Sequence, residues 1–180
     1  MRVVVTGTPG TGKTSATEPL TDHDVLHLNE VVEREGLYTE RDEERDSLVV
    51  DMDALGEYVD DREGIVESHL AHHLPADRVV VLRCAPDELE RRLRERGESE
   101  PKASENNGST KSPQALARYA RENAESEALD LILSEAVAEH GLESVYEIDT
   151  TDRSPEEVAE EIERVIDGER EPSAGEVEFS

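Results

Sequence analysis

Val3-Val4-Val5-Thr6-Gly7-Thr8-Pro9-Gly10-Thr11-Gly12-Lys13-Thr14-Ser15 is the stretch whose reading decides the fold. The valines form a continuous apolar run, the pattern of a strand buried on both faces. Gly7-Thr8-Pro9-Gly10-Thr11-Gly12-Lys13-Thr14 then fits G-x-x-x-x-G-K-[ST] in full, between that strand and a helical stretch. Glycines at Gly7, Gly10 and Gly12 let the backbone curl until successive N–H groups point at phosphate oxygens, and the helix N-terminus adds its dipole. Lys13 is placed to reach the β- and γ-phosphates of a nucleotide, Thr14 to ligate Mg²⁺ through its hydroxyl, and Ser15 to add a phosphate contact. A glycine-rich strand-to-helix turn is the plain alternative, but position, context and the rare lysine coincide.

Outward from this loop, strand-like apolar runs fall at 2–6, 25–28, 64–67, 78–83 and 144–148, with helix-like stretches at 13–20, 53–60, 86–96, 113–140 and 155–166. Strands alternating with helices predict a parallel sheet covered on both faces. Pro86, Pro113 and Pro155 read as first helical residues, and Ser154 to Glu157 has capping-box spacing. Glycine is expected to close helices at Gly97, Gly141 and Gly168. Residues 168–180 are polar and aperiodic, the pattern of a flexible acidic tail.

The 180 residues make about one domain. Asp and Glu number 46 against 19 Lys and Arg, a formal charge of −27 with an isoelectric point near 4.4. Such a surface repels phosphate backbones, so no direct DNA binding is expected. No run approaches the ~20 apolar residues needed to cross a bilayer, and no signal peptide is evident, so no membrane partner and a cytoplasmic location are expected. The lone Cys84 excludes an internal disulfide framework and reads as a small buried residue. Lysine appears three times and arginine sixteen. A lysine-poor, carboxylate-rich surface suits a salty cytoplasm, where salt screens its self-repulsion, and suits a basic partner equally.

The loop leaves GTPase, ATPase motor and small-molecule kinase open. No Asn-Lys-x-Asp is present to read guanine, and the chain is short for a motor module. Nine of the nineteen basic residues lie within 83–121, beginning with Arg83, and a transfer between phosphorylated ligands needs cations closing over both. Arg92 and Arg96, four apart, share a helix face that points to the following loop; Arg91 and Arg94 read as a solvated face paired with carboxylates. Residues 97–111, rich in Gly, Ser, Asn and Glu, have a lid's composition. His69, His72 and His73 cluster as metal ligands do, but no cysteine or well-spaced acid completes a site in the sequence.

Several segments together resemble the atypical adenylate kinases. They are Gly7–Thr14, Leu28-Asn29, Gly36-Leu37-Tyr38, Asp42-Glu43-Glu44, Val66-Glu67-Ser68-His69, Val81-Leu82-Arg83 and Arg92-Leu93-x-x-Arg96-Gly97, in the family's order over residues 1–167. The resemblance implies an α/β P-loop NTPase fold, a three-layer sandwich on a five-stranded parallel sheet, with an NMP-binding insertion near 29–50 and a lid near 95–111. It implies Mg²⁺-dependent transfer from ATP to AMP with intrinsic ATPase activity. It also implies a tie to small-ribosomal-subunit maturation through a ribosomal-protein partner. By the same likeness Arg96 is the lid arginine that contacts ATP, with Arg92 beside it as a second catalytic cation, and Lys102 aligns with a lid lysine. His69 orients acceptor or water, Asn29 and Tyr38 fall in the substrate segment, and Glu67 holds Mg²⁺, through water, with Thr14. Two departures stand out: Glu67 replaces the family's Asp, and about seventeen residues, 107–123, are inserted before the last long helical stretch.

Overall fold

The computed structural model of the chain describes residues 1–42, 47–99 and 112–179. In chain order these form β1 (Arg2–Gly7), α1 (Lys13–Thr17), β2 (Val25–His27), α2 (Leu28–Glu35), β3 (Tyr38–Asp42), β4 (Ser47–Val50), α3 (Met52–Val59) and β5 (Gly64–Glu67). Then follow a 3₁₀ turn (Ala71–His73), β6 (Arg78–Arg83), α4 (Pro86–Ser99), α5 (Pro113–Ala128), α6 (Leu131–His140), β7 (Val145–Asp149) and α7 (Pro155–Ile166). Five strands make one parallel sheet in the order β2-β5-β1-β6-β7, while β3 and β4 make a separate antiparallel hairpin.

The apolar runs are continuous because each central strand feeds two cores. Val3 and Val5 of β1 pack in the layer with Ala16 of α1 and Val158, Ile162 and Val165 of α7. Val4, between them, packs in the other layer, with Leu28 and Val32 of α2, Leu55 of α3 and Ala136 of α6. β6 alternates likewise, Val80 and Leu82 to the first layer, Val79 and Val81 to the second. Each such side chain, fully buried, contributes roughly 1.5–3 kcal/mol. The helices on both faces complete the three-layer sandwich. β1 sits mid-sheet between β5 and β6, so the loop after Gly7 emerges at the carboxyl edge, where open α/β sheets bind ligands.

Three expectations are corrected, and two elements were not foreseen. The stretch 113–140 is two helices, because Asp130 takes a left-handed turn at φ 54 and places its carboxylate on the Arg83 guanidinium. Helix α4 does not stop at Gly97 but runs through it to Ser99. There the missing Cβ makes room for Leu116 of α5, whose Cδ1 would lie 2.3 Å from it. Helix α2 and the β3–β4 hairpin were not foreseen as elements within 29–50. Lastly, residues 168–179 are not a loose tail. Arg170 donates to the Glu147 carbonyl at 2.7 Å, Ser173 N–H to Val145 O at 3.1 Å, and the Glu147 carboxylate accepts from Gly175 and Val177 N–H at 2.7 and 2.9 Å. Hydrogen bonds of this kind, from main chain and side chains together, cover the edge strand β7 without any hydrophobic periodicity.

The caps match their reading. Ser112 and Ser154 accept from the N–H groups of Ala115 and Glu157, and Glu157 completes a capping box. Residues 113–123 of the expected insertion form the first turns of α5. Glu43 and Glu44, Lys102, Lys111 and the rest of the expected lid over 100–111 lie outside the described residues.

Candidate active site

The loop 8–12 folds on its own hydrogen bonds: Thr11 donates to the Thr8 carbonyl through its N–H at 3.2 Å and its hydroxyl at 2.8 Å. Gly10 stands at φ +96, with Leu89 and Leu93 of α4 within 2.9 Å of where a Cβ would be. Gly12 also has a positive φ, +91, but open space where its Cβ would point. One glycine thus seats the loop on α4 and the other leaves a concavity beside the N–H groups of Lys13 and Thr14.

Lys13, 8 % exposed, folds back so that its ammonium donates to the carbonyls of Gly7 at 3.0 Å and Thr8 at 3.2 Å. Burial pulls it down to about 8, opposed by Glu67 and helped by the nearby Arg96. Lys13 is thus a buried cation whose ammonium donates to uncharged carbonyls.

Glu67 ends β5 beside Val5 of β1 and is buried, 4 % exposed. Its Oε2 lies 2.6 Å from His27 Nδ1, the residue paired with it in the β2–β5 register. The remaining oxygen, with the exposed Thr14 hydroxyl at the head of α1, makes a hard-oxygen pair of the kind Mg²⁺ takes while keeping several waters. The donor set therefore fits Mg²⁺, and Glu67 reaches the cleft despite its extra methylene. Two residues on, burial pushes the half-buried His69 imidazole down to about 4, with Lys13 adding to the effect. His69 is thus neutral at pH 7.

Arg92 spans from α4 to the end of β7. Its guanidinium donates to the carbonyls of Thr150 at 2.9 Å and Thr151 at 3.2 Å and to the Thr150 hydroxyl at 3.2 Å. That hydroxyl lies 3.0 Å from Thr11 O and 2.8 Å from Arg83 O. Arg92 thereby locks the β7 end onto the phosphate loop. Arg91 and Arg94 pair with Glu88, Glu95 and Glu90 on the outer face of α4, as read from sequence.

Lys13, Thr14, Ser15, Asn29, Glu67, His69, Arg92 and Arg96 line one cleft of ≈580 Å³, together with Gly10 and Gly12. Gly7 lies below it and supplies a carbonyl to Lys13. Tyr38 does not join them: it opens β3, 39 % exposed, paired across the hairpin with Val50. Arg83 is also not a phosphate ligand; it is 1 % exposed, bound to Glu127 and Asp130. Cys84 is buried and its thiol is pushed up to about 11 by that burial, which leaves it inert. Sequence reasoning missed His27, Thr150 and Arg153, and missed Tyr119 as part of the cleft wall. The usable signal for Thr150 and Arg153 was topological, since both follow the carboxyl end of a parallel strand.

A sequence profile described as an AAA domain matches residues 3–112. Proteins of Natronomonas pharaonis and Halobacterium salinarum, each provisionally named an adenylate kinase, are 59 % and 55 % identical over all of this chain and 98 % of theirs. The chain belongs to this AAA-domain family. A Methanosarcina acetivorans relative with the same name is 42 % identical over 93 % of this chain and 87 % of its own. The AAA-domain match takes in the phosphate loop, Glu67, His69 and both cleft arginines of α4, and the full-length relatives extend the likeness through α7. Among solved structures, a shikimate kinase from Bacteroides thetaiotaomicron shares the fold at TM-score 0.58 and 19 % identity, covering 93 % of this chain and 98 % of that one. A deoxyadenosine kinase from M. mycoides with bound dATP does so at 0.52 and 13 %, covering 93 % and 100 %. No helix among the described residues is long and apolar enough to cross a membrane.

Proposed function

We propose that this AAA-domain protein is a nucleoside monophosphate kinase that moves the γ-phosphoryl group of ATP to AMP, giving two ADP, with slow hydrolysis when AMP is absent. The observation that carries this reading is the single cleft in which a buried lysine, two arginines, a neutral histidine and a carboxylate–hydroxyl pair converge. The adenylate-kinase names of its relatives support it.

Loop N–H groups and Lys13 bind the donor's β- and γ-phosphates, and Lys13 gives up the Gly7 and Thr8 carbonyls to do so. Thr14 and Glu67 would hold Mg²⁺, which supplies charge neutralisation on the donor phosphates; His27 fixes the Glu67 carboxylate for that task. An AMP phosphate oxygen forms the new O–P bond as the bond from the γ-phosphorus to the β-bridging oxygen breaks, and the electron pair leaves with ADP. No proton moves in that step. Arg96 stabilises the negative charge spread over the transferred group, and Arg92 acts one step back by holding Thr150 and Thr151 against the loop. Neutral His69 hydrogen-bonds the acceptor without adding a competing positive charge, and Asn29 lines the same wall.

Initial rates across a panel of AMP, dAMP, CMP, GMP and UMP, in molar potassium chloride, test the acceptor. AMP giving the highest kcat/KM supports the reading, and no acceptor-dependent ADP formation overturns it. Phosphate release without acceptor phosphorylation would instead favour the ATPase reading, in which the family resemblance and the acidic surface point to a ribosomal-protein partner.

A further inference from the structure

Away from the nucleotide cleft, the 3₁₀ turn after β5 brings His72 and His73 against α6. His72 Nε2 is 2.8 Å from Glu135 Oε2, and His73 Nε2 is 3.2 Å from the same oxygen. The other ring nitrogens are also engaged: His72 Nδ1 lies 2.9 Å from Thr6 Oγ1, and His73 Nδ1 lies 2.6 Å from Glu139 Oε1. We infer that His72, His73 and Glu135 form a divalent transition-metal site, of the zinc type, that clamps the 68–74 segment to α6.

Three observations carry this. The three ligand atoms lie within 4.8 Å of one another, and the two measured edges, 2.8 and 3.2 Å, fall just short of the spacing of about 3.3 Å between ligands of a tetrahedral zinc ion. Each histidine has its second nitrogen on an oxygen, Thr6 or Glu139, the arrangement that fixes ring orientation around a bound metal. His73 has a carboxylate oxygen at each ring nitrogen, Glu135 at Nε2 and Glu139 at Nδ1. A metal on Nε2 leaves Nδ1–H to donate to Glu139. His72 is buried, while His73 and Glu135 are partly exposed and give the ion a route in. A fourth position stays open to water. The sequence hid the site because Glu135 and Glu139 lie more than sixty residues beyond the histidines.

The metal would act on the nucleotide cleft only indirectly, through Thr6, which precedes the phosphate loop, and through His69 on the clamped segment. The test is calorimetric titration with Zn²⁺ of the full chain in molar potassium chloride and excess Mg²⁺. The same samples are titrated with Co²⁺ to read its absorption bands. The expected result is one Zn²⁺ per chain and tetrahedral Co²⁺ bands. His73→Ala and Glu135→Gln each weaken binding by ~100-fold, Glu139→Gln by ~10-fold, and Glu67→Gln leaves it unchanged. Saturating Zn²⁺ also raises the unfolding temperature of the wild type and not of Glu135→Gln. Equal Zn²⁺ affinity in wild type, His73→Ala and Glu135→Gln overturns the site, as does binding lost only in Glu67→Gln. Absence of binding to the wild type overturns it too.

Discussion

Lys13 is where sequence motif and local physics meet most closely. Its burial cost has a defined pH signature. Because the ammonium is held at about 8 in the fold against 10.5 when unfolded, the unfolded chain binds more protons between those values. Stability attributable to Lys13 therefore rises as pH climbs from 8 to 10.5, and its full cost is present below 8. Thermal unfolding without nucleotide should show the wild type gaining on Lys13→Met across that window by up to ~3 kcal/mol; parallel curves would remove the account of the buried cation. His69 works in the opposite range. Held at about 4 against 6.5, it contributes stability that is lost as pH falls from 6.5 toward 4, a loss His69→Asn should not share. The residues of the phosphate loop were legible because the motif is contiguous. His27 and Thr150 were not, since their roles come from strand register and from a contact 139 residues away.

Helix α4 shows how an element can be read correctly in its pattern and wrongly at its end. Gly97 looked like a stop because glycine commonly follows helices; its actual reason is the close approach of Leu116 on α5. Propensity alone would make Gly97→Ala stabilising by ~1 kcal/mol. A Cβ at 97 would overlap the Leu116 side chain, which predicts instead a loss of ~1–3 kcal/mol, relieved when Leu116→Ala is added, measurable by urea unfolding of the two single variants and the double. On the opposite face of α4, Arg92 holds three groups at the end of β7 with a planar fork that an ammonium cannot copy. Arg92→Lys should therefore lower kcat/KM for ATP by ~10-fold or more while leaving the unfolding temperature nearly unchanged; wild-type kinetics would mean that the β7 loop is seated by other contacts. Strand β6, helix α7 and its cap were predicted at their observed boundaries because their signals are local. The hairpin, the break at Asp130 and the anchored tail depend on partners distant in sequence, which no local pattern records.

At the scale of the molecule, the charge of −27 and the phosphate-binding cleft oppose each other, and the fold separates them. Carboxylates spread over the surface while Lys13, Arg92, Arg96 and Arg153 gather at the carboxyl edge of the sheet. Screening the surface shortens the reach of its self-repulsion from about 10 Å at 0.1 M salt to about 3 Å at 1 M. The unfolding temperature should accordingly rise between those salt concentrations, and a flat or falling profile would show that the acidity is not salt-adapted. The central claim is that the cleft transfers a phosphoryl group between nucleotides rather than to water. It is tested most directly by following γ-labelled ATP with folded wild-type protein, Mg²⁺ and AMP. The account predicts label in newly formed ADP, at a rate that depends on AMP and falls by orders of magnitude in Lys13→Met. Label released only as inorganic phosphate, at a rate indifferent to AMP, would contradict it.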